Sequence, residues 1–168
     1  MRIIIKPKII NKYNFRKYGN LISKKYKKPT QINNGYALKF NNLSNIKTSK
    51  NSGSTRISIF EARPRKFPLK IDMLEMHPAG TQVFFPIDIC SFIVVVAPVN
   101  KIPIVNQIES FIVPPKTGIN YKIGVWHYPL IAIIKSNFLV IDRKGPGKNL
   151  KKFKFVKENI IIKRWKIT

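Results

Sequence analysis

The sequence predicts a mainly β fold, an antiparallel barrel or sandwich with one or two short helices. From Arg56 onward, apolar and β-branched runs alternate with Pro, Gly, Asn or Ser, which is typical of antiparallel sheets. No apolar stretch approaches the roughly 20 residues that a membrane span requires. A chain of 168 residues is long enough to bury the core of one domain. We therefore expect a single soluble domain over residues 1–168, with a basic C-terminal tail from about residue 148.

Eight strands are predicted in the β-rich region, at 57–60, 68–74, 82–86, 92–97, 108–113, 124–129, 131–134 and 138–141. Residues 41–54 are predicted to form a loop, because their Asn, Ser and Gly residues favour turns and no apolar period runs through them. Short helices are predicted around 14–23 and within 101–110. In the tail, Lys alternates with apolar residues at 154–157 and 160–163, which favours edge strands protected by their lysines.

The positive charge is large but unevenly distributed. The formal net charge is +25, yet residues 73–141 hold four basic and three acidic residues. Most of the basic residues are Lys, whereas specific recognition of phosphates and bases favours the bidentate Arg fork. Because Lys, Asn and Ile accumulate together, as in AT-rich coding sequences, we attribute the charge to composition. We expect no specific nucleic-acid partner and no membrane partner; a nucleic-acid binder would show a steep salt dependence.

The single cysteine, Cys90, is predicted to be a buried and inert thiol, since its neighbours include Ile89 and Phe92. A chain that cannot form an internal disulfide suits a reducing compartment. The opening residues are too short an apolar run, interrupted by Lys6 and Pro7, to form a secretory signal. We therefore expect a cytoplasmic protein.

The candidate chemistry lies in two segments, 74–82 and 118–129, which hold the only two histidines, His77 and His127. Imidazole is the commonest metal ligand among side chains and the group best suited to proton transfer near neutral pH. Two histidines in such segments suggest one shared site. The alternative is that each histidine fills the core while a nearby carboxylate pairs with a surface lysine.

Strand parity places further polar residues beside these histidines. Glu75 and His77 lie two residues apart, so they share one face of a strand. If the two segments line one barrel mouth, Glu75, His77, Gln82 and His127 converge there. This set could hold a divalent metal such as nickel or zinc with an open position for a substrate. It could equally hydrogen-bond a small-molecule substrate without a metal.

The spacing is similar to that of the cupins. Their first metal motif is His-x-His, then three or four residues, then Glu, and their second motif places a His after Gly-x-x. Here Glu75-x-His77 is followed after four residues by Gln82, and Gly124-x-x precedes His127. The spacing is therefore cupin-like while the ligand types differ, and the predicted barrel or sandwich is accordingly a cupin-like one.

Longer motifs, in order along the chain, closely resemble the ureidoglycolate lyases. They are Tyr18-Gly19, Ile32-Asn33-Asn34-Gly35, Pro68-Leu69, Glu75-x-His77-Pro78-x-Gly80-Thr81-Gln82-x-Phe84-x-Pro86, Val94-Val95-Val96-Ala97, Gly118-x-Asn120-Tyr121, Val125-Trp126-His127-x-Pro129-Leu130 and Phe138-Leu139-x-Ile141-Asp142-Arg143-x-Gly145. The likeness covers residues 15–147, almost the whole chain.

The resemblance implies a cupin-like carbon–nitrogen lyase that splits ureidoglycolate into glyoxylate and urea during the breakdown of allantoin and purines. It also implies a homodimer. An exposed hydrophobic face would serve such a dimer, and one bearing Ile93, Val95 and Phe111 is a candidate. Strand parity alone does not say which side of a sheet meets a partner.

The chain departs from the family pattern at five positions. The family often has Arg at the positions of Lys39 and Met76, and a basic residue at the position of Glu61. It often has Leu at the position of Ala79 and His at the position of Tyr128. Loss of Arg positions weakens the expected binding of the substrate carboxylate. A noncatalytic cupin-like module that binds a small carboxylate or amide is therefore the alternative function.

The resemblance also implies which residues act. The catalytic residues are expected to be Glu75, His77 and His127, and the substrate-binding residues Gln82, Asn120, Arg143, Lys39 and Asn33. Glu75 is expected to be the base, the histidines to contact a metal or the substrate hydroxyl, and Gln82 and Asn120 to orient the ureido group. Arg143 and Lys39 are expected to hold the carboxylate. As alternatives, Asn120 could shape a turn, Trp126 could belong to the core, and Asp142 could accept bonds from Arg143 or loop amides.

Overall fold

The core has two clusters of buried side chains, and strand β10 (Phe92–Ala97) contributes to both. In the computed structural model, which describes residues 2–163, all six residues of this strand are buried. Side chains alternate along a strand. Phe92, Val94 and Val96 therefore face the first cluster, and Ile93, Val95 and Ala97 face the second.

The strands of the described residues form four sheets. The seven-stranded sheet has the order β16 (Lys151–Lys154), β8 (Met73–Met76), β13 (Trp126–His127), β10, β11 (Glu109–Val113) and β2 (Lys8–Ile9), with β14 (Ile131–Ala132) also paired to β10. The five-stranded sheet has the order β3 (Gly19–Ile22), β12 (Gly118–Tyr121), β9 (Gln82–Pro86), β15 (Ser136–Lys144) and β6 (Ser54–Ala62).

Two smaller sheets complete the fold. One has the order β1 (Arg2–Ile5), β17 (Asn159–Ile162) and β7 (Leu69–Ile71), and the other is a hairpin of β4 (Thr30–Ile32) and β5 (Ala37–Lys39). Short 3₁₀ turns span Lys24–Tyr26, Asn33–Gly35 and Val105–Gln107.

The buried clusters hold the sheets together in layers. The first cluster lies between the seven-stranded and five-stranded sheets, where Phe92 meets Phe138 with ring centres 5.2 Å apart. The second lies between the seven-stranded and three-stranded sheets and includes Ile71 and Ile160. The mainly β, cupin-like prediction is confirmed in the form of a sandwich, because the pairings among residues 2–163 do not close into one barrel.

The predicted strands are found with altered bounds. The predictions for 82–86 and 92–97 match β9 and β10, and those for 57–60 and 138–141 are the centres of the longer β6 and β15. The predicted strand 68–74 is divided into β7 and β8. Residues 124–129 contribute the two-residue β13, since Gly124 makes a turn with φ +77°. The loop predicted at 41–54 is confirmed up to Gly53, and the brief helix within 101–110 is a 3₁₀ turn.

The helix predicted at 14–23 is wrong. Residues 19–22 form β3, and before it the chain turns, with Tyr18 N–H donating to the Phe15 carbonyl at 2.9 Å. Gly19 lies so close to the neighbouring strand that a Cβ there would be 2.1 Å from the Asn120 carbonyl oxygen. Burial of Phe15 and Tyr18, both fully inaccessible, outweighs the local preference for helix.

The basic tail is part of the sheets. The strand β16 is an edge strand, as predicted, but lies at 151–154 rather than 154–157. The edge position predicted for 160–163 is wrong, since β17 lies between β1 and β7 and buries Ile160 and Ile162. No single stretch of sequence reveals that pairing, because β1 comes from the opposite end of the chain.

The dimer face predicted with Ile93, Val95 and Phe111 is also wrong. All three side chains are buried within the two core clusters. The buried, unpaired thiol predicted for Cys90 is confirmed. Among the described residues, no helix is both long and apolar enough to cross a bilayer.

A group of charges around Glu109 ties the N-terminal segment to β11. Its carboxylate accepts hydrogen bonds from Lys8 Nζ and Tyr18 Oη, and Lys17 Nζ lies 2.7 Å from it. Burial opposes the ionisation of Glu109, but hydrogen bonds from Lys17, Tyr18 and Lys8 outweigh it and lower its pKa to about 2.

Replacing Glu109 with Gln should therefore flatten the acid limb of the stability profile. The native carboxylate stabilises the fold fully above pH 4.5, its ordinary pKa, and this contribution is lost as the pH falls toward 2. Urea unfolding at a series of pH values measures the effect. The control is Glu61→Gln, whose carboxylate pairs only with exposed Lys135 among the described ion pairs. Equal pH dependence in Glu109→Gln and the wild type would contradict the assignment.

Candidate active site

Glu75, His77 and His127 lie together at the edge of the first core cluster. Glu75 on β8 and His127 on β13 are direct cross-strand partners, so their side chains share one face of the sheet. The His127 Nε2 atom lies 4.0 Å from Glu75 Oε1. His77 follows β8 directly, and its ring centre is 5.2 Å from that of His127. One ligand atom from each of the three residues lies within 4.8 Å of the other two.

Backbone carbonyls determine the tautomers of both histidines. The Nδ1 atom of His77 is 2.7 Å from the Asn149 carbonyl oxygen, and Nδ1 of His127 is 3.0 Å from the Val125 carbonyl oxygen. A carbonyl can only accept, so both Nδ1 atoms carry a proton, and in the neutral form of each ring Nε2 presents a lone pair. Both Nε2 atoms are buried without a hydrogen-bond partner. They are therefore available to a metal ion or a substrate hydroxyl.

Burial shifts the charge states of two of these groups. It lowers the pKa of His127 to about 3, together with the neighbouring His77. Burial also raises the pKa of Glu75, against the opposing effects of His77 and Lys152. His127 is therefore neutral at neutral pH, and its contact with Glu75 is not an ion pair. The carboxylate of raised basicity is suited to accepting a proton, whereas the neutral His127 imidazole is suited to accepting a hydrogen bond or binding a metal.

Tyr121 is a site residue that the sequence did not single out for a role. Its ring stacks on His127 with centres 4.4 Å apart and planes 16° apart. Burial and the charge of Glu75 raise the pKa of its phenol, so Tyr121 stays protonated. Strand alternation is the sequence feature that could have identified Tyr121, because Tyr121 is the cross-strand partner of Gln82 and lies on the same face of the sheet.

Gln82 contributes an unpaired acceptor on this face. It begins β9, is 7% exposed, and its Oε1 is buried without a hydrogen-bond partner. A buried amide oxygen without a partner is costly unless a ligand supplies one.

The donor set fits a divalent metal ion. Two imidazole nitrogens and a carboxylate oxygen, grouped within 4.8 Å, are the ligand types that zinc and nickel accept. Each histidine also has the second hydrogen bond, from Nδ1 to a carbonyl, that orients metal-binding imidazoles. Asn149 and Val125 thus orient the two histidines through their backbone carbonyls, a role that no sequence pattern reveals.

Asn120 and Arg143 hold a loop over the outer face of the five-stranded sheet. Asn120 Nδ2 donates to Ser44 Oγ at 2.8 Å and to the Asn45 carbonyl at 2.9 Å. Arg143 donates from Nε to the Lys50 carbonyl and from Nη2 to the carbonyls of Asn51 and Pro146. We call residues 44–51 the anchored loop. It lines a cavity of about 390 Å³ with Thr81 and Tyr121.

The carboxylate contact predicted for Arg143 stays a prediction, and the structure shows this residue anchoring the loop. Arg143 is 4% exposed, and its guanidinium donates to three carbonyl oxygens. The ureido contact predicted for Asn120 also stays a prediction. Its amide nitrogen donates to the loop, and its Oδ1 is buried without a hydrogen-bond partner among the described residues. Alternation along β12 turns Asn120 away from the face that carries Tyr121.

Lys39 and Asn33 are not brought to the histidines. Both are exposed and belong to the β4–β5 hairpin, whose strands pair only with each other. Asn33 has φ +53° in the turn of that hairpin, a conformation that Asn tolerates better than most residues. No hydrogen bond or ion pair of the described residues joins either side chain to Glu75, His77 or His127.

The remaining alternatives have clear outcomes. Trp126 is 2% exposed in the second core cluster, as the core interpretation predicts. Asp142 accepts two hydrogen bonds from Arg56, at 2.9 and 2.8 Å, rather than from Arg143 or loop amides. The interpretation of His77 and His127 as two separate core residues is not supported, because their unpaired Nε2 atoms belong to one cluster with Glu75.

The tautomers and the neutral state of His127 can be tested by NMR. Long-range ¹H–¹⁵N spectra should show the Nδ1–H tautomer for both histidines. The His127 signals should not titrate between about pH 5 and pH 8, because its pKa is lowered to about 3. A His127→Gln variant supplies the assignment. Titration of the His127 signals near the ordinary value of about 6.5 would contradict the effect of burial.

Comparisons with known proteins place these residues in a family context. A family model described as ureidoglycolate lyase matches residues 2–163. The chain is 36% identical over 161 residues to a ureidoglycolate lyase of Pseudomonas putida, covering 95% of each chain. It is 36% identical over 162 residues to one of Pseudomonas syringae pathovar syringae, covering 96% of this chain and 94% of the other. A third, from Pseudomonas paraeruginosa, is 35% identical over 159 residues, covering 94% of each.

Proposed function

This chain belongs to the ureidoglycolate lyase family, and from that membership we propose that it is a carbon–nitrogen lyase that cleaves ureidoglycolate to glyoxylate and urea. The observation that carries the proposal is the grouping of Glu75, His77 and His127 within 4.8 Å. Glu75 supplies a proton acceptor, which the reaction requires, and the two imidazoles lie beside it to orient the substrate.

The chemistry needs one proton to move between two atoms of the substrate. Ureidoglycolate carries a hydroxyl and a ureido nitrogen on the same carbon. As the hydroxyl proton leaves, the O–H electron pair forms the C=O bond of glyoxylate, and the C–N electron pair departs with the urea nitrogen. That nitrogen then takes up a proton. A single basic group beside both atoms can remove the first proton and deliver it to the nitrogen.

Glu75 is the group that suits this transfer. Burial raises its pKa, against the opposing charges of His77 and Lys152, which makes the carboxylate a stronger base. The Nε2 atoms of His77 and His127 lie beside Glu75 as further acceptors that orient the bound substrate. Tyr121, stacked on His127, holds that ring in place. The unpaired Oε1 of Gln82 accepts a hydrogen bond from the ureido group.

We further propose that the site binds a divalent metal such as nickel or zinc. In a metal-bound site these atoms would be ligands in place of the direct substrate contacts described above: Nε2 of His77 and His127, one carboxylate oxygen of Glu75 and Oε1 of Gln82. The histidine and amide atoms are buried without other partners among the described residues. Such an ion, when bound, polarises a substrate oxygen and promotes loss of its proton.

The purified protein should release equal amounts of urea and glyoxylate from racemic ureidoglycolate. Glu75→Gln and His127→Ala should each lower kcat/KM by roughly a hundredfold to ten-thousandfold, the range for loss of acid–base catalysis. Coupled assays of both products measure this. The control is Glu61→Gln, at an exposed carboxylate paired with Lys135, which should keep full activity.

Full activity of the folded His127→Ala variant would remove that residue from the site. No release of urea by the wild type would contradict the proposed function itself. Metal analysis of the purified protein, together with assays in the presence of chelators, tests the metal. Activity without bound metal and unaffected by chelators would contradict the metal proposal and leave the acid–base scheme intact.

For its location we propose the cytoplasm. The one cysteine, Cys90, is buried and unpaired, so the fold gains nothing from an oxidising compartment.

We also propose that the protein is a homodimer that pairs through the outer face of β6. This nine-residue strand is the edge of the five-stranded sheet, and no strand within residues 2–163 pairs with its outer side. Ile57 and Ile59 are 68% and 58% exposed and lie beside Ile141 and Leu139 on the same face. Contiguous exposed apolar side chains at a sheet edge favour association with another chain.

Replacing both Ile57 and Ile59 with Lys should therefore convert the dimer to a monomer, because the charges would be buried in the interface. Sedimentation velocity measures the mass. The matched control is Val156→Lys, at an apolar residue that is 90% exposed outside this face, and it should remain dimeric. A monomeric wild type, or a double variant that stays dimeric, would contradict this interface.

A further inference from the structure

The proposed substrate carries a carboxylate, and the structure places beside Glu75 a cation that the sequence did not single out, Lys152. Arg143 is bonded to three loop carbonyls, and Lys39 lies on the separate β4–β5 hairpin. We propose that Lys152, on the edge strand β16, binds the carboxylate of the substrate at the entrance to the site. This inference rests on the proposed function.

The strand register places Lys152 beside the reacting groups. Lys152 is the direct cross-strand partner of Glu75, and Glu75 is the direct partner of His127. Direct partners in antiparallel strands share a face, with Cβ atoms about 4.5–5.5 Å apart. Lys152, Glu75 and His127 therefore form a row on one face of the seven-stranded sheet. A substrate whose hydroxyl reaches Glu75 has its carboxylate, one carbon away, within reach of the Lys152 side chain.

Exposure decreases along this row and indicates the direction of approach. Lys152 is exposed, the Glu75 side chain is 17% exposed, and the His127 side chain is 2% exposed. The next residue in the row, Val96, is fully buried. Solvent therefore reaches this face from the β16 side, and a substrate coming from that side meets Lys152 first.

The charges also require a cation at this point. An anionic substrate beside the Glu75 carboxylate would be repelled, and an ammonium group between the two anions offsets that repulsion. The charge of Lys152 lowers the pKa of Glu75, but no ion pair within residues 2–163 joins the two side chains. Its ammonium group is thus available to bind a second carboxylate.

The neighbouring Lys151 offers a matched control. It carries the same charge and lines the same open cavity of about 610 Å³ as Lys152. Alternation along β16 turns Lys151 to the opposite face, where its cross-strand partner is Met76 of the second core cluster. Removing either lysine changes the local charge equally, but only Lys152 faces Glu75.

Lys152→Met should raise KM for ureidoglycolate by roughly tenfold to a hundredfold, as expected for loss of a charge-assisted hydrogen bond, with a much smaller change in kcat. The inhibition constant of glyoxylate, which carries the carboxylate, should rise in parallel, while that of neutral urea should not change. Lys152→Arg should restore most of the affinity. Lys151→Met should match the wild type, and circular dichroism verifies that each variant is folded.

Equal increases of KM in Lys151→Met and Lys152→Met would overturn the proposal, because they would reflect general charge rather than contact. A loss of kcat at unchanged KM would overturn it as well. If the wild type releases no urea, the proposed function fails on its own, and calorimetric binding of glyoxylate then tests Lys152 separately. Binding that is lost in Lys152→Met but kept in Lys151→Met supports the carboxylate site, and equal binding in both variants overturns it.

Discussion

The burial of β10 on both faces is the constraint on which the rest of the structure depends. A strand that is apolar at six consecutive positions needs a layer on each side, and this chain supplies the five-stranded sheet on one side and the three-stranded sheet on the other. The two-residue β13 is held between β10 and β8 within the same sheet. Val96 of β10 pairs directly with His127, so the core determines where that imidazole lies.

The chemical character of the site follows from its position at the edge of this core. Burial keeps His127 neutral and makes Glu75 more basic, while the carbonyls of Asn149 and Val125 orient both imidazoles. The fold thus leaves the Nε2 atoms of both histidines without hydrogen-bond partners among residues 2–163, and groups them with the Glu75 carboxylate. Such an arrangement destabilises the protein unless a ligand completes it, and buried groups with shifted pKa values are a recurring feature of functional sites.

Motif residues in this chain serve two different purposes. Glu75, His77 and His127 meet in the site, whereas Asn120 and Arg143 hold the anchored loop through bonds to backbone and side-chain oxygens. Arg143 also explains why residue 53 is a glycine, because a Cβ at Gly53 would lie 2.3 Å from the Nε atom of Arg143. A residue type suited to binding an anion can therefore be used to order a loop. In this protein a lysine at a sheet edge, Lys152, is the cation that faces the site.

The β class, the principal strands, and the candidate set of Glu75, His77, Gln82 and His127 could be predicted from the sequence, because two-residue periodicity and motif spacing are local properties of the chain. The resemblance to the family could also be read from the sequence. Three features became known only from the packed chain: residues 19–22 form a strand, β17 is central, and Arg143 anchors a loop. Each of these depends on a partner distant in sequence: Asn120 for Gly19, β1 for β17, and the carbonyls of Lys50 and Asn51 for Arg143. Local propensity is worth less than burial and pairing energies, so such positions are settled only when the whole chain has packed.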